Sequence, residues 1–409
     1  MADSVRELYD RYPYPPPVDS LESYRVLWQD PQRRRGDYHL FWPGRAYRED
    51  FTILVAGCGT SQAAKHAMRW PRAQVIGIDL SATSVQSTDA LKRKYNLANL
   101  HIYQIPIDRV SELNMTFDQI VCTGVLHHLP DPDAGLANLH SVLNSDGAMH
   151  LMLYAPYGRA GIYMLQEFCR RLGIRASDEG IQELIATLKT LPPGHPIETV
   201  LREAPDFRHP NALTDALLHP QDRAYSVPQL FEFLQHGRMK FGRWIRQAPY
   251  SAHCGVLMQI PQSQRLLTLE EPDQFAIAEL FRGTMLRHSF TAYRDGAEKN
   301  SGQVSFVGDR WLRYVPIRMP DTICVEQRLP AGAAGVLINR THNNTDLILP
   351  VNSSEKRLVD AIDGVRNVEQ ILEAALPSMR RESQLQLACS LFQQLWWHDQ
   401  LVFDTSRAD

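Results

Sequence analysis

Gly57-Cys58-Gly59, Asp79 and the pair His127-His128 are the residues whose types and spacing could do chemistry. The two glycines follow an apolar run, Ile53-Leu54-Val55-Ala56. A backbone without Cβ atoms can turn sharply there and let a nucleotide approach closely. Asp79 stands 20 residues after Gly59, at the end of a second apolar run. A carboxylate at that point can accept hydrogen bonds from both hydroxyls of a ribose, each charge-assisted bond being worth roughly 1.5–3 kcal/mol. Together the two blocks point to a cofactor that contains adenosine. A dinucleotide fingerprint would want a third glycine where Gln62 stands, for close packing of strand and helix. His127 and His128 follow a third apolar run, 117–122. A histidine near neutrality could take a proton from a reacting group; the other reading is that one of the two anchors the loop.

These residues need a scaffold that brings three loops together. Strands are predicted over 52–56, 73–78, 100–104, 117–122 and 148–154. Helices are predicted over 60–70, 81–95, with Ser81 as N-cap, and 133–143, with a turn at Asn144-Ser145-Asp146-Gly147. Alternation of this kind implies an α/β fold, a parallel sheet covered on both faces. Ligands sit at the carboxyl ends of such strands, where all three blocks end. A mostly helical insertion follows at about 158–222, with helices over 158–172, 179–190 and 196–202. A helix over 227–235 and strands over 239–245 and 255–260 should complete this domain, 51–262.

Residues 1–50 form an aromatic, proline-rich arm. A short helix over 5–12 cannot continue through Tyr12-Pro13-Tyr14-Pro15-Pro16-Pro17, because each proline removes a donor and extends the residue before it. The arm reads either as packing or as a lid, and Tyr38, Phe41 and Trp42 read as packing. Beyond the core, 263–352 reads as a β-rich accessory domain, with a helix over 273–285 and strands over 289–294, 303–307, 311–315, 322–328 and 335–339. Residues 353–409 read as a winged-helix-like domain, with helices over 355–362, 368–376 and 382–397 and a strand over 401–403.

Composition narrows the classes. A chain of 409 residues exceeds one ordinary domain. Its net charge of −3 argues against a dedicated nucleic-acid binder. The triplet Arg33-Arg34-Arg35 is expected in a solvated loop. Six cysteines without a CxxC pair suggest neither a metal site nor a disulfide framework, which suits a cytoplasmic setting. The N-terminus lacks a signal pattern, and there is no apolar run of membrane length, so no membrane partner is expected.

The order of the blocks, and above all Phe117-Asp118-Gln119-Ile120-Val121-Cys122 followed by Gly124-Val125-Leu126-His127-His128-Leu129-Pro130-Asp131-Pro132, resembles the class I S-adenosylmethionine (SAM) dependent methyltransferases over about 50–260. The resemblance implies a Rossmann-like sheet, SAM as cofactor with S-adenosylhomocysteine (SAH) as product, and no metal. It implies that the loop Gly57-Cys58-Gly59 lines the methionine and ribose portion. Asp79 would bind the ribose, with Leu80 against the adenine. Ile107 and Asp108 would lie at the adenine amino group, and Thr123, Gly124 and Val125 would flank the sulfonium. Two positions depart from the family: its acidic residue before the first glycine is Val55 here, and its third loop glycine is Ser61.

Methyl transfer mainly needs alignment and exclusion of water. A base is needed for a protonated acceptor, and His127, His128 and Tyr14 are the candidates, followed by Tyr12 and Tyr157. The arm Tyr9-Asp10 through Tyr12-Pro13-Tyr14-Pro15 and the stretch Phe281-Arg282-Gly283-Thr284-Met285-Leu286 resemble bacterial methyltransferases with a regulatory domain, some of which are protein-lysine methyltransferases. The run from Asp360 to Leu372 resembles winged-helix peptide-binding domains of the PqqD type. These resemblances imply a protein or peptide acceptor and are compatible with a homo-oligomer. A small-molecule O- or N-methyltransferase and a SAM-binding regulatory protein without turnover are the alternatives.

Overall fold

The computed structural model describes residues 2–203, 207, 209–296 and 304–408. Seven strands form the principal sheet: β1 (Thr52–Ala56), β2 (Gln74–Ile78), β3 (Leu100–Tyr103), β4 (Phe117–Thr123), β5 (Leu143–Tyr154), β6 (Met239–Trp244) and β7 (Arg287–Arg294). Their order is β3-β2-β1-β4-β5-β7-β6. The first five are parallel. Ile53, Leu54, Val55 and Ala56 of β1 are wholly buried, as a central parallel strand covered on both faces requires. The order reverses between β1 and β4, and this switch point opens a crevice at the carboxyl ends. Val55 pairs with Val121, so the loops that begin at Gly57 and Gly124 leave the sheet side by side.

Two features of the sheet differ from the sequence reading. The expected turn at Asn144-Ser145-Asp146-Gly147 lies inside β5, whose pairing with β4 jumps from Phe117–Leu143 to Gln119–Ala148. A bulge absorbs the extra residues without ending the strand. The expected strand over 255–260 is a 3-10 helix, Gly255–Gln259, entered by Gly255 at φ +61°. The last strand to join the sheet is instead β7, from further along the chain. Short apolar runs do not separate strand from helix by pattern alone.

The chain divides into two compact units. The first holds Met1–Leu27, Glu49–Met239 and Glu279–Ser289. Helices Gln62–Arg69, Ala82–Lys94 and Pro132–Ser141 are its crossovers, and the oxygens of Ser81 and Asp131 accept backbone N–H bonds at the last two N-termini. Its insertion comprises Ala160–Leu172, Asp178–Leu188, Ile197–Glu203 and Pro210–Leu217, packed through Ile162, Leu165, Leu184, Ile197 and Leu213. Gly161 allows a close approach, since a Cβ there would lie 2.4 Å from the Ile197 nitrogen. The helix Pro210–Leu217 has no counterpart in the sequence reading.

The second unit holds Trp28–Arg48, Lys240–Ala278 and Phe290–Asp409. The arginine triplet is not a solvated loop: it lies on the helix Pro31–Phe41. Arg33 pairs with Asp321 at 3.2 Å, Arg34 donates to the Trp28 carbonyl at 2.6 Å, and Arg35 pairs with Asp404 at 2.8 Å. Carboxylates far along the chain claim two of the three guanidiniums. Tyr38, Phe41 and Trp42 are buried packing residues.

The rest of this unit comprises β8 (Val315–Arg318), β9 (Thr322–Val325), β10 (Gly335–Asn339), β11 (Ile348–Val351) and β12 (Leu401–Asp404), in sheets β11-β10-β9 and β12-β8. Of the strand expected over 303–307, Gln303 lies outside the described residues and 304–307 form no strand. That expected over 311–315 is a 3-10 turn, Arg310–Arg313, which buries Trp311 and Leu312. Helices Ser353–Asp360, Val368–Ala375 and Arg381–Trp397 precede β12, the first two opened by capping boxes at Asn352 and Asn367.

Candidate functional site

The loop after β1 is shaped by its two glycines. Gly57 and Gly59 adopt φ of +69° and +53°, and a Cβ on Gly57 would stand 2.3 Å from the Val125 side chain. Cys58 contributes backbone only. Its sulfur is wholly buried against Gly77, and burial pushes its thiol well up, so it is no nucleophile. Asp79, at the end of β2, accepts from the Gly59 N–H at 2.8 Å and the Ser81 N–H at 2.9 Å. Burial raises this carboxyl, and those N–H groups pull it back down. Ile107 is buried at the start of a 3-10 turn, while Asp108 is exposed. Thr123 accepts from the Gln62 amide at 2.7 Å, so the residue in the place of a third glycine ties two loops together. Gly124 follows with φ +80°.

The arm lies over this loop. Its helix, Ala2–Arg11, packs on Ala82–Lys94. The Ser81 hydroxyl donates to Asp10 at 2.7 Å, and the Thr60 hydroxyl to the Pro15 carbonyl at 2.9 Å. Beyond a cis Tyr14-Pro15 bond, the Pro15 ring stands 3.4 Å from where a Cβ on Gly59 would be. The arm also reaches the insertion. Tyr9 donates to Asp215 at 2.8 Å, Tyr12 to Asp178 at 2.5 Å, and Asn211 to the Pro13 carbonyl at 2.9 Å.

A buried polar cluster forms where β4 and β5 end. His127 packs against Tyr154 at 3.9 Å with the rings tilted by 36°, and neither of its ring nitrogens has a hydrogen-bond partner among the described residues. His128 Nδ1 is 2.8 Å from the Gln221 carbonyl, while its Nε2 has no hydrogen-bond partner among the described residues. An Nδ1–H donated to a carbonyl leaves Nε2 as a lone pair. Burial first, and then in part the charge of Arg159, push both histidines below their ordinary value. They are therefore neutral near pH 7. His219 lies 4.0 Å from the His128 ring and accepts the Gln221 N–H on Nδ1 at 3.0 Å, which puts its proton on Nε2.

Asp215 is buried and bonded by the hydroxyls of Tyr9 at 2.8 Å and Tyr154 at 3.4 Å. Burial pushes its carboxyl up, opposed by His219 and by the Tyr9 hydrogen bond. Arg159 pairs with Asp222 at 3.1 Å and lies 3.5 Å over the Tyr154 ring. Of the expected bases, His127 and His128 belong to this cluster. Tyr14 is half-buried next to Pro15, Tyr12 bonds to Asp178, and Tyr157 is 44% exposed.

Ligand atoms of His128, Asp215 and His219 all lie within 4.8 Å of one another, close enough to surround a cation. The tautomers oppose it. His219 could bind metal through Nε2 only by shifting its proton to Nδ1, against the Gln221 N–H. As bonded, the triad offers one lone pair, one carboxylate and one N–H, a set suited to a group that both gives and receives hydrogen bonds. Sequence reasoning missed Tyr9, Tyr154, Arg159, Asp215, His219 and Asp222 as site residues. One signal was present: Asp215 interrupts the apolar run from Ala212 to Leu217, and a buried charge needs partners.

The histidines also set an acid limit on stability. Burial depresses His150 and His219 to about 4 from an ordinary 6.5. Stability is whole above 6.5 and is lost as pH falls through the depressed values, each group withdrawing about 2 kcal/mol by pH 5. Urea midpoints should therefore fall clearly between pH 7 and pH 5. An unchanged midpoint would mean that these rings are not buried neutral.

Comparison with known proteins bears on this geometry. Residues 54–149 match a family described as methyltransferase domain. An uncharacterised protein of Synechococcus sp. is 32% identical over 256 residues, which cover 59% of this chain and 60% of that protein. The trans-aconitate 2-methyltransferase of Deinococcus radiodurans is 31% identical over 142 residues, covering 34% of this chain and 51% of that enzyme. The chain thus spans between half and two thirds of the length of these two relatives. Among solved structures, PKMT2 from Rickettsia typhi superposes with a TM-score of 0.65 at 17% identity, over 95% of this chain and 76% of that one. Its complex with AdoHcy gives 0.64 at 15% identity, covering 92% and 75%. At such identities the likeness is one of fold.

Proposed function

We propose that this chain, which carries a class I SAM-dependent methyltransferase domain, methylates an amine on a protein or peptide side chain. The observation that carries the reading is Asp215, a buried carboxylate whose hydrogen-bond partners are two neutral hydroxyls, beside the free Nε2 of His128. A cationic acceptor would compensate that charge, whereas an organic acid such as trans-aconitate would meet repulsion from it. The resemblance of the arm to that of protein-modifying methyltransferases adds the polymer to the reading.

The residues present fit SAM. Gly57 and Gly59 turn the backbone with positive φ after β1, and the Asp79 carboxylate stands at the strand end where a ribose would need it. On this reading Gly57, Cys58 and Gly59 offer backbone to the methionine and ribose portion. Asp79 takes the ribose, and Leu80, Ile107 and Asp108 edge the adenine. Thr123, Gly124 and Val125 border the sulfonium. The group supplies an electrophilic methyl on a positively charged sulfur. The protein's own work is to hold the amine, take its proton and keep water out. Asp215 and the tyrosine hydroxyls receive the ammonium. His128 Nε2 takes one proton and leaves on the nitrogen the lone pair that a methyl donor, when bound, would require. The arm, bonded to Thr60 and Ser81, covers the loop against solvent.

Two measurements check this reading. Asp79→Ala should weaken SAH binding about tenfold to a hundredfold, the worth of one or two charge-assisted bonds. Unchanged affinity in an isothermal titration would overturn the cofactor assignment. For the acceptor, methyl-labelled SAM incubated with purified protein and lysate should leave acid-stable, base-stable label on protein. Label confined to small molecules would favour the small-molecule alternative. Label on protein lost in mild base would indicate ester formation and sink the amine.

A further inference from the structure

Two adjacent residues of the arm reach two different sites from one helix. On Ala2–Arg11, successive side chains diverge by about 100°. Tyr9 donates to the Asp215 carboxylate at 2.8 Å, and its ring lies 5.7 Å from that of His219. Burial first, and then the charge of Asp215, push the Tyr9 hydroxyl well above its ordinary 10, so it keeps its proton and stays a donor. Asp10 serves the other site. Its carboxylate accepts the Ser81 hydroxyl at 2.7 Å, and its carbonyl accepts the Thr83 hydroxyl at 2.9 Å. Ser81 in turn gives its N–H to Asp79 at 2.9 Å. A continuous path of hydrogen bonds and chain therefore runs from Asp79, at the cofactor loop, through Ser81, Asp10 and Tyr9 to Asp215. All of it lies within the first compact unit.

The path joins groups whose balance a cofactor would change. Asp10 and Asp79 bond to the same residue, Ser81, from two sides. Burial raises the Asp79 carboxyl, and the charge of Asp10 adds to the rise. With the arm in place, two carboxylates thus oppose each other across Ser81. Ribose hydroxyls donated to Asp79 would spread its charge and lower the cost of holding the arm there. A ligand shifts a conformational equilibrium only through such a difference between its two states. Pro15 already sets the arm against the same loop, through its carbonyl to the Thr60 hydroxyl at 2.9 Å.

We propose that Tyr9 is a positioning residue governed by the cofactor: filling the Asp79 site fixes the arm, and the arm fixes the Asp215 carboxylate through the Tyr9 hydroxyl. The acceptor pocket is then set when the cofactor has bound, an order of addition that rests on Asp215 being the acceptor's carboxylate. By linkage, an acceptor at Asp215 would tighten cofactor binding by the same factor.

Amide hydrogen exchange on the full chain, with SAH as the sole ligand, tests the coupling without an acceptor. Saturating SAH should slow exchange about fivefold or more in Ala2–Arg11 and in Pro210–Leu217. Asp10→Ala should still bind SAH but show less than about twofold slowing in either helix. Tyr9→Phe should keep the slowing in the arm and lose it in Pro210–Leu217. A general gain in stability would survive both substitutions, so transmission is read as the difference between parent and variants. The proposal is overturned if SAH binds the parent and leaves Pro210–Leu217 unchanged, or if both variants slow that helix as the parent does. Either result leaves the amine reading standing, since the label experiment decides that separately. Absence of SAH binding in calorimetry would overturn the cofactor assignment and this coupling together.

Discussion

His128→Asn is expected to lower kcat by about a hundredfold to ten-thousandfold, the usual worth of a positioned base, with SAH affinity unchanged. The asparagine amide can still donate to the Gln221 carbonyl, as His128 Nδ1 does at 2.8 Å, so the loop keeps its anchor. What disappears is Nε2, which has no hydrogen-bond partner among the described residues. The pH profile gives a second readout. Burial moves His128 below its ordinary 6.5, so the parent should keep its basic form below that pH and lose activity only in more acid solution. The acid limb in kcat should be absent from the variant. A loss under tenfold with the limb intact would make His128 an anchor and leave proton removal to Asp215 or to water.

Asp215→Asn should reduce kcat/KM for the amine acceptor about a hundredfold to a thousandfold, in line with the 3–5 kcal/mol lost when one partner of a buried pair is removed. Most of it should appear in KM. Asparagine matches the carboxylate in shape and can still accept from Tyr9 or Tyr154, so the change is one of charge. The free protein should become more stable, because burial already strains that carboxylate toward its neutral form. Lower activity together with a higher melting temperature is the signature of a charge held for a ligand. A variant both less stable and unaffected in KM would make Asp215 a structural acceptor for the two tyrosines, and the amine reading would lose its main support.

These two residues differ in how far the chain's one-dimensional pattern could identify them. His128 follows a buried strand in a switch-point loop, and β4 and its loop can be read from the run 117–122 and the glycine after Thr123. Asp215 sits on a short helix, Pro210–Leu217, in an insertion with no repeating pattern. Its meaning depends on Tyr9, 206 residues earlier in the chain, and on Tyr154. Neither separation is encoded in local spacing.

What the sequence by itself determined is the parallel core and its loops. Apolar runs such as Ile53 to Ala56, each followed by a loop, alternate with helical stretches as the central strands of a parallel sheet do, and the glycines after β1 are needed where the backbone turns with positive φ. Those are local constraints, and they appear as local patterns. The tertiary structure alone decided three other things: that β7 rather than 255–260 joins the sheet, that Arg33 and Arg35 are paired rather than solvated, and that Tyr9, Asp215 and His219 gather around His128. Each depends on which distant partner satisfies a hydrogen bond or a charge. Such partners are chosen by packing, because a buried polar group must find whatever neighbour the fold brings to it.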